Sequence, residues 1–165
     1  MSVPLICHIL IGCPGCGKST FAAQLNQLHP TAKIISTDQI RTELFGNAGI
    51  QGNWLMIEKE VLKQMQKAMQ AGQPVIYDAT NAKKEWRIVL LKQLADISTK
   101  VCNQEVQWIG WHLQTPLELC KAWNKKRVRQ VPDIVIEELF QELQDNPPHV
   151  SEGFFLINYV DISND

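Results

Sequence analysis

Apolar residues in this chain recur with two different periods, and the alternation between them outlines the fold. Residues 4–11 form a continuous apolar run, which predicts a strand covered on both faces. A helical pattern follows over 18–28 and ends near His29 and Pro30. A short strand over 33–37 leads into a short helix near 39–45, and Gly46, Gly49 and Gly52 mark a loop. Trp54, Ile57, Val61, Met65 and Met69 then repeat at helical spacing, so a helix is expected over 54–70 with Gly72 as its stop. Residues 74–78 read as a third strand, 83–95 as a helix, and 104–113 as a buried strand. Thr115, Pro116 and Glu118 predict a helix start with Thr115 as cap, proline at the first turn and a reciprocal glutamate. Pro132 and Asp133 open a further helix to about residue 144, and 154–160 is the final strand.

Strands separated by helices predict an α/β fold: a five-stranded parallel sheet with helices on both faces. Ligands of such sheets lie at the carboxyl ends of the strands. Residues 12–20, Asp38 and Asp78 each follow a strand, so all three are expected on one edge. With 165 residues, the chain is expected to be a single domain without a separate substrate domain.

Composition narrows the field by exclusion. The chain is 45% hydrophobic and 20% charged, with a net charge of −1, so no overall basic field marks it for nucleic acid. No apolar run approaches the ~18 residues of a membrane span, and the start lacks the pattern of a secretory signal. A cytoplasmic protein with no membrane contact and no obligate protein partner is expected. The five cysteines, Cys7, Cys13, Cys16, Cys102 and Cys120, follow no regular spacing and fit a reducing compartment. Cys13 and Cys16 have the spacing of a redox pair; the expectation is that they are small loop residues instead. No second Cys or His pair offers zinc spacing.

The chemistry concentrates in Gly12-Cys13-Pro14-Gly15-Cys16-Gly17-Lys18-Ser19-Thr20, which fits G-x-x-x-x-G-K-[ST] between a strand and a helix. Glycines let backbone N–H groups converge on phosphate oxygens, and the opening helix adds free donors. Lys18 is placed for the β- and γ-phosphates of ATP, and the Ser19 hydroxyl for Mg²⁺. Asp38 and Asp78 are placed to orient an acceptor hydroxyl, take its proton or hold the metal. Arg41, one turn beyond Asp38, shares its face and suits an anionic acceptor group. The stretch 121–132 holds five of the sixteen lysines and arginines and suits a small helical lid over the nucleotide. Lys59, Lys63 and Lys67 form a stripe read as a solvated helix face. Trp108 and Trp111 are expected in the core, while Trp54, Trp86 and Trp123 stay open between packing and stacking. The histidines form no ligand pattern, and residues 146–153 are a candidate wall for the adenine.

The order of these motifs resembles the kinase domain of phage and bacterial 5′-polynucleotide kinases. The likeness runs through residues 12–20, Asp38 with Arg41, Asp78 with Thr80 and Asn81, and Asn124 with Arg127 before Val131-Pro132. It implies a P-loop NTPase fold, with Asp38 as general base, Arg41 as acceptor clamp and Arg127 as the lid arginine on ATP. Asp78 is implied to hold Mg²⁺ through water or to position the acceptor. The lid segment is one residue shorter than in that family, so Arg129 competes with Arg127, and Trp123 stands where relatives often carry a basic residue.

The function expected is transfer of the γ-phosphoryl group of ATP to a hydroxyl, foremost the 5′-hydroxyl of a polynucleotide. The alternatives are a small-molecule hydroxyl acceptor and a non-catalytic ATP-binding module. Asn124-Lys125-Lys126-Arg127 lacks the acid of a guanine-reading Asn-Lys-x-Asp, which favours adenine.

Overall fold

The computed structural model describes residues 3–47 and 53–162; Gly49 and Gly52 of the expected loop lie outside them. The strands are β1 (Leu5–Ile11), β2 (Lys33–Ser36), β3 (Val75–Asp78), β4 (Val106–Gln114) and β5 (Leu156–Asp161). All neighbours pair in parallel, in the order β2-β3-β1-β4-β5. The helices are α1 (Lys18–Leu28), α2 (Thr37–Phe45), α3 (Trp54–Gln70), α4 (Lys84–Val101), α5 (Leu117–Asn124) and α6 (Asp133–Asp145). This is a P-loop kinase-like fold with its sheet sandwiched between helices.

The period of two along β1 divides the core. Cys7, Ile9 and Ile11 pack with α3 and α4 through Ile57, Val61, Met65, Leu91 and Leu94. Leu10 points the other way, onto Ala22 and Leu25 of α1. Both faces of β1 are therefore covered, as its apolar run requires. Because β3 lies beside β1, the loop after β1 and the end of β3 meet, and the Gly12 N–H donates to the Thr80 carbonyl at 3.0 Å.

Several boundaries differ from the sequence reading. α4 continues to Val101, six residues past the expected 95, because Ile97 and Val101 still pack on the core. α2 begins at Thr37, with the Ser36 hydroxyl accepting from the Gln39 N–H. The expected cap on α5 is absent: Pro116 holds that position without a side-chain cap, and Thr115 is buried with Oγ1 donating to the Cys16 carbonyl at 2.6 Å. A hydroxyl that pattern reading gives to a helix end thus braces the loop before α1. β5 starts at Leu156 because Phe154 turns inward, its ring packed where a side chain on Gly110 would sit. A 3-10 turn, Val150–Glu152, precedes it.

Candidate active site

The loop between β1 and α1 takes its shape from two left-handed glycines, Gly15 at φ 79° and Gly17 at φ 99°. A Cβ on Gly15 would also overlap the Cys120 carbonyl of α5, so the loop lies hard against that helix. α1 begins at Lys18 with no side-chain cap, which leaves its first-turn N–H groups for an anion. The Lys18 ammonium curls over the loop, donating to the Gly12 and Cys13 carbonyls at 2.9 and 3.0 Å. The two loop cysteines do not face each other. Cys13 Sγ lies 3.2 Å from Cys120 Sγ, and Cys16 Sγ turns toward Lys18.

Asp78 ends β3 and is buried, with Oδ2 accepting from the Ser19 hydroxyl at 2.9 Å. Burial raises its carboxyl above the usual range, against the pull of Lys18 and the Ser19 hydrogen bond. One carboxylate beside one hydroxyl fits Mg²⁺, which keeps most of its waters and takes its remaining oxygens from phosphates. Among the described residues no cluster of three or more His, Cys, Asp or Glu offers an all-protein metal cage.

Asp38 lies in the first turn of α2, opposite, and draws three arginines. Arg41 Nη1 donates to its Oδ1 at 2.8 Å, Arg127 Nη2 to its Oδ2 at 2.9 Å, and Arg129 Nε stands 3.7 Å from Oδ1. The Arg41 pair is the i,i+3 contact that the helical spacing predicts. Nε of both Arg41 and Arg129 is buried without a hydrogen-bond partner. Burial and the nearby Arg41 lower the affinity of Arg129 for its proton, while Asp38 opposes them. Three guanidinium groups around one carboxylate leave an excess of positive charge beside the phosphate loop.

These elements enclose a cavity of about 820 Å³. Gly15, Gly17, Lys18, Ser19, Asp38, Arg41, Asp78, Thr80, Asn81, Arg127 and Arg129 all contribute to its wall. The groups expected at one edge of the sheet thus line one cavity, and Arg127 and Arg129, between which the sequence left the choice open, both approach Asp38. Asn124 has an architectural part: its amide accepts from the Val131 N–H and donates to the Val131 carbonyl, closing the turn between α5 and α6. Asn81, at φ 50°, donates to the Leu10 carbonyl and pins the segment after β3 to β1.

One expectation is overturned and the open tryptophans are placed. Residues 146–153 contribute nothing to this wall; they are tied to α4 by the buried Arg87–Glu152 pair. The open tryptophans, Trp54, Trp86 and Trp123, all line the cavity, together with Tyr77, Glu58 and Glu85, which the sequence did not single out. A helical period marks Trp54 as a packing position, and nothing local shows which cavity it faces. Trp108 is buried as expected, and Trp111, half-buried, packs against the core and donates to His8 Nδ1 at 3.0 Å. Lys59, Lys63 and Lys67 are exposed and none lines the cavity.

A family profile described as an AAA domain matches residues 7–146. No curated protein matches the chain by sequence. Among solved structures, a chain of the Pnkp1/Rnl/Hen1 RNA repair complex is 23% identical with a TM-score of 0.67, over 88% of this chain and 46% of that one. This chain therefore spans less than half the length of that relative. A fungal RNA kinase is 16% identical with a TM-score of 0.66, over 99% of this chain and 78% of its own. A gluconokinase from Sinorhizobium meliloti 1021 is 14% identical with a TM-score of 0.57, over 98% and 85%. Among the described residues no helix is long and apolar enough to cross a membrane.

Proposed function

Because this chain belongs to the AAA domain family and has a P-loop kinase-like fold, we propose that it transfers the γ-phosphoryl group of ATP to an acceptor hydroxyl. The observation that carries this reading is the convergence of Asp38, its arginines and Asp78 on the wall that also holds the phosphate loop. A module that only bound nucleotide would have no use for Asp38 there.

In this reading the loop N–H groups and Lys18 hold the phosphates, and Ser19 and Asp78 hold Mg²⁺, directly or through its waters. The metal neutralises charge on the β- and γ-phosphates when bound. Asp38 accepts the proton of the attacking hydroxyl. Arg127 and Arg129 move from Asp38 to the phosphates, so ATP binding frees the base and supplies charge where it develops. Arg41 stays on the acceptor side of Asp38.

The acceptor has two readings: the motif order resembles that of polynucleotide kinases and points to a 5′-hydroxyl, whereas the side chains of α3 and α4 on the cavity wall point to a small-molecule hydroxyl. Asp38→Asn tests the reaction itself. With radiolabelled ATP, transfer should fall at least about 100-fold while ATP binding persists. Full activity in that variant would remove Asp38 from the base role.

A further inference from the structure

The cavity wall draws its chemistry from different elements. Its cations are Lys18, Arg41, Arg127 and Arg129. α3 and α4 contribute apolar, aromatic and acidic side chains and Gln93, but neither lysine nor arginine. Trp54 and Trp86 are 50% and 49% exposed there, and Val89 is 53% exposed. Large apolar groups left in solvent along one cavity mark a surface that a ligand covers. Glu58 and Glu85 stand among them, and Gln93 donates to Glu58 at 3.2 Å. The Lys83 ammonium already rests 5.0 Å from the Trp86 ring centre, outside this wall.

A groove that tracks a nucleic-acid strand pairs aromatic platforms with cations for successive phosphates. Here the aromatic platforms are accompanied by carboxylates, which repel phosphates. A phosphate lying along this wall would meet Glu58 and Glu85, and the nearby cation Lys83 stands on Trp86 outside the wall.

Building on the phosphotransfer reading above, we infer that the acceptor is a compact, hydroxyl-bearing ring compound without negative charge, of nucleoside or glycoside size. Its ring lies against Trp54 and Trp86, its outer hydroxyl or amino groups donate to Glu58 and Glu85, and its reacting hydroxyl reaches Asp38. The acceptor oxygen forms a bond to the γ-phosphorus, the bond from that phosphorus to the β,γ-bridging oxygen breaks, and ADP leaves with the electron pair. The hydroxyl proton passes to Asp38.

The test uses the full chain with Mg²⁺ and ATP. Two acceptors are compared: a 5′-hydroxyl oligonucleotide, and a panel of nucleosides, glycosides and amino sugars. A panel member should be phosphorylated in preference, with a KM that barely moves between about 50 and 200 mM salt. Trp54→Ala and Trp86→Ala should each raise that acceptor KM about tenfold and leave the KM for ATP unchanged. Trp86→Phe should recover most of the loss, which a mere folding defect would not allow. Preference for the oligonucleotide, with a KM that climbs steeply with salt, overturns the inference and leaves the kinase reading standing. ATP turnover with transfer to neither acceptor also overturns it. Absence of any ATP turnover removes the kinase reading and this inference together.

Discussion

Asp78 shows how a single carboxyl ties stability to chemistry. Its folded-state pKa is raised, chiefly by burial, so folding favours the protonated form. The stabilisation is therefore full below the ordinary carboxylate range and is lost as pH rises through the raised value. As pH rises through that raised value, the buried charge becomes a growing cost to the nucleotide-free protein. Asp78→Asn should raise the melting temperature at neutral pH, with the difference shrinking below about pH 4, while Mg²⁺-dependent transfer collapses. A melting difference that is the same at every pH would contradict this account.

The same residue scale separates the two arginines between α5 and α6. Arg127 makes the short hydrogen bond to Asp38, and Arg129 is the more buried of the two, with an unpartnered Nε. If both serve the developing phosphate charge, Arg127→Ala and Arg129→Ala should each lower kcat, by up to about 1000-fold. A loss confined to Arg127→Ala would return Arg129 to a packing role. The loop cysteines have the spacing of a pair but were expected to be small loop residues; Cys13 meets Cys120 on α5 and Cys16 turns toward Lys18.

At the scale of elements, the active edge is held by side chains far from the chemistry. Arg87 of α4 is fully buried and pairs with Glu152 at 2.7 Å. It also donates to the carbonyls of Asn81, Ala82 and Asn146. One guanidinium thus joins the segment after β3 to the turn before β5. Its planar fork suits that task, and lysine could not replace it. Arg87→Met should cost about 3–5 kcal/mol in denaturant unfolding, because Glu152 is left as an unpaired buried charge. Adding Glu152→Leu should restore much of it. An Arg87→Met protein as stable as the parent would show that the pair is dispensable.

At the scale of the whole molecule, the fold was largely legible in the sequence because its signals are local and strong. Residues 12–20 declare a strand, a tight turn and a helix, and the span of α3 follows from its helical period and Gly72. The missed features were contacts between distant segments. Thr115 looks like a cap until Cys16, ninety-nine residues away, accepts its hydroxyl proton. The end of α4 was placed too early because Ile97 and Val101 favour strands, and only the core they touch makes them helical.

The sequence by itself determined the order of elements, the phosphate loop and the strand-end aspartates, since periodicity and turn chemistry act within a few residues. Tertiary structure decided which groups share a cavity: two arginines on Asp38 from the segment between α5 and α6, and Trp54 and Trp86 facing the same space as Lys18. Those pairings arise from the parallel sheet order β2-β3-β1-β4-β5, which brings the ends of β1, β2 and β3 to one edge. The alternation of strands and helices placed the loop and both aspartates on that edge, but sequence spacing carries no record of which distant side chains meet there, because closure of a loop tens of residues long depends on the packed core.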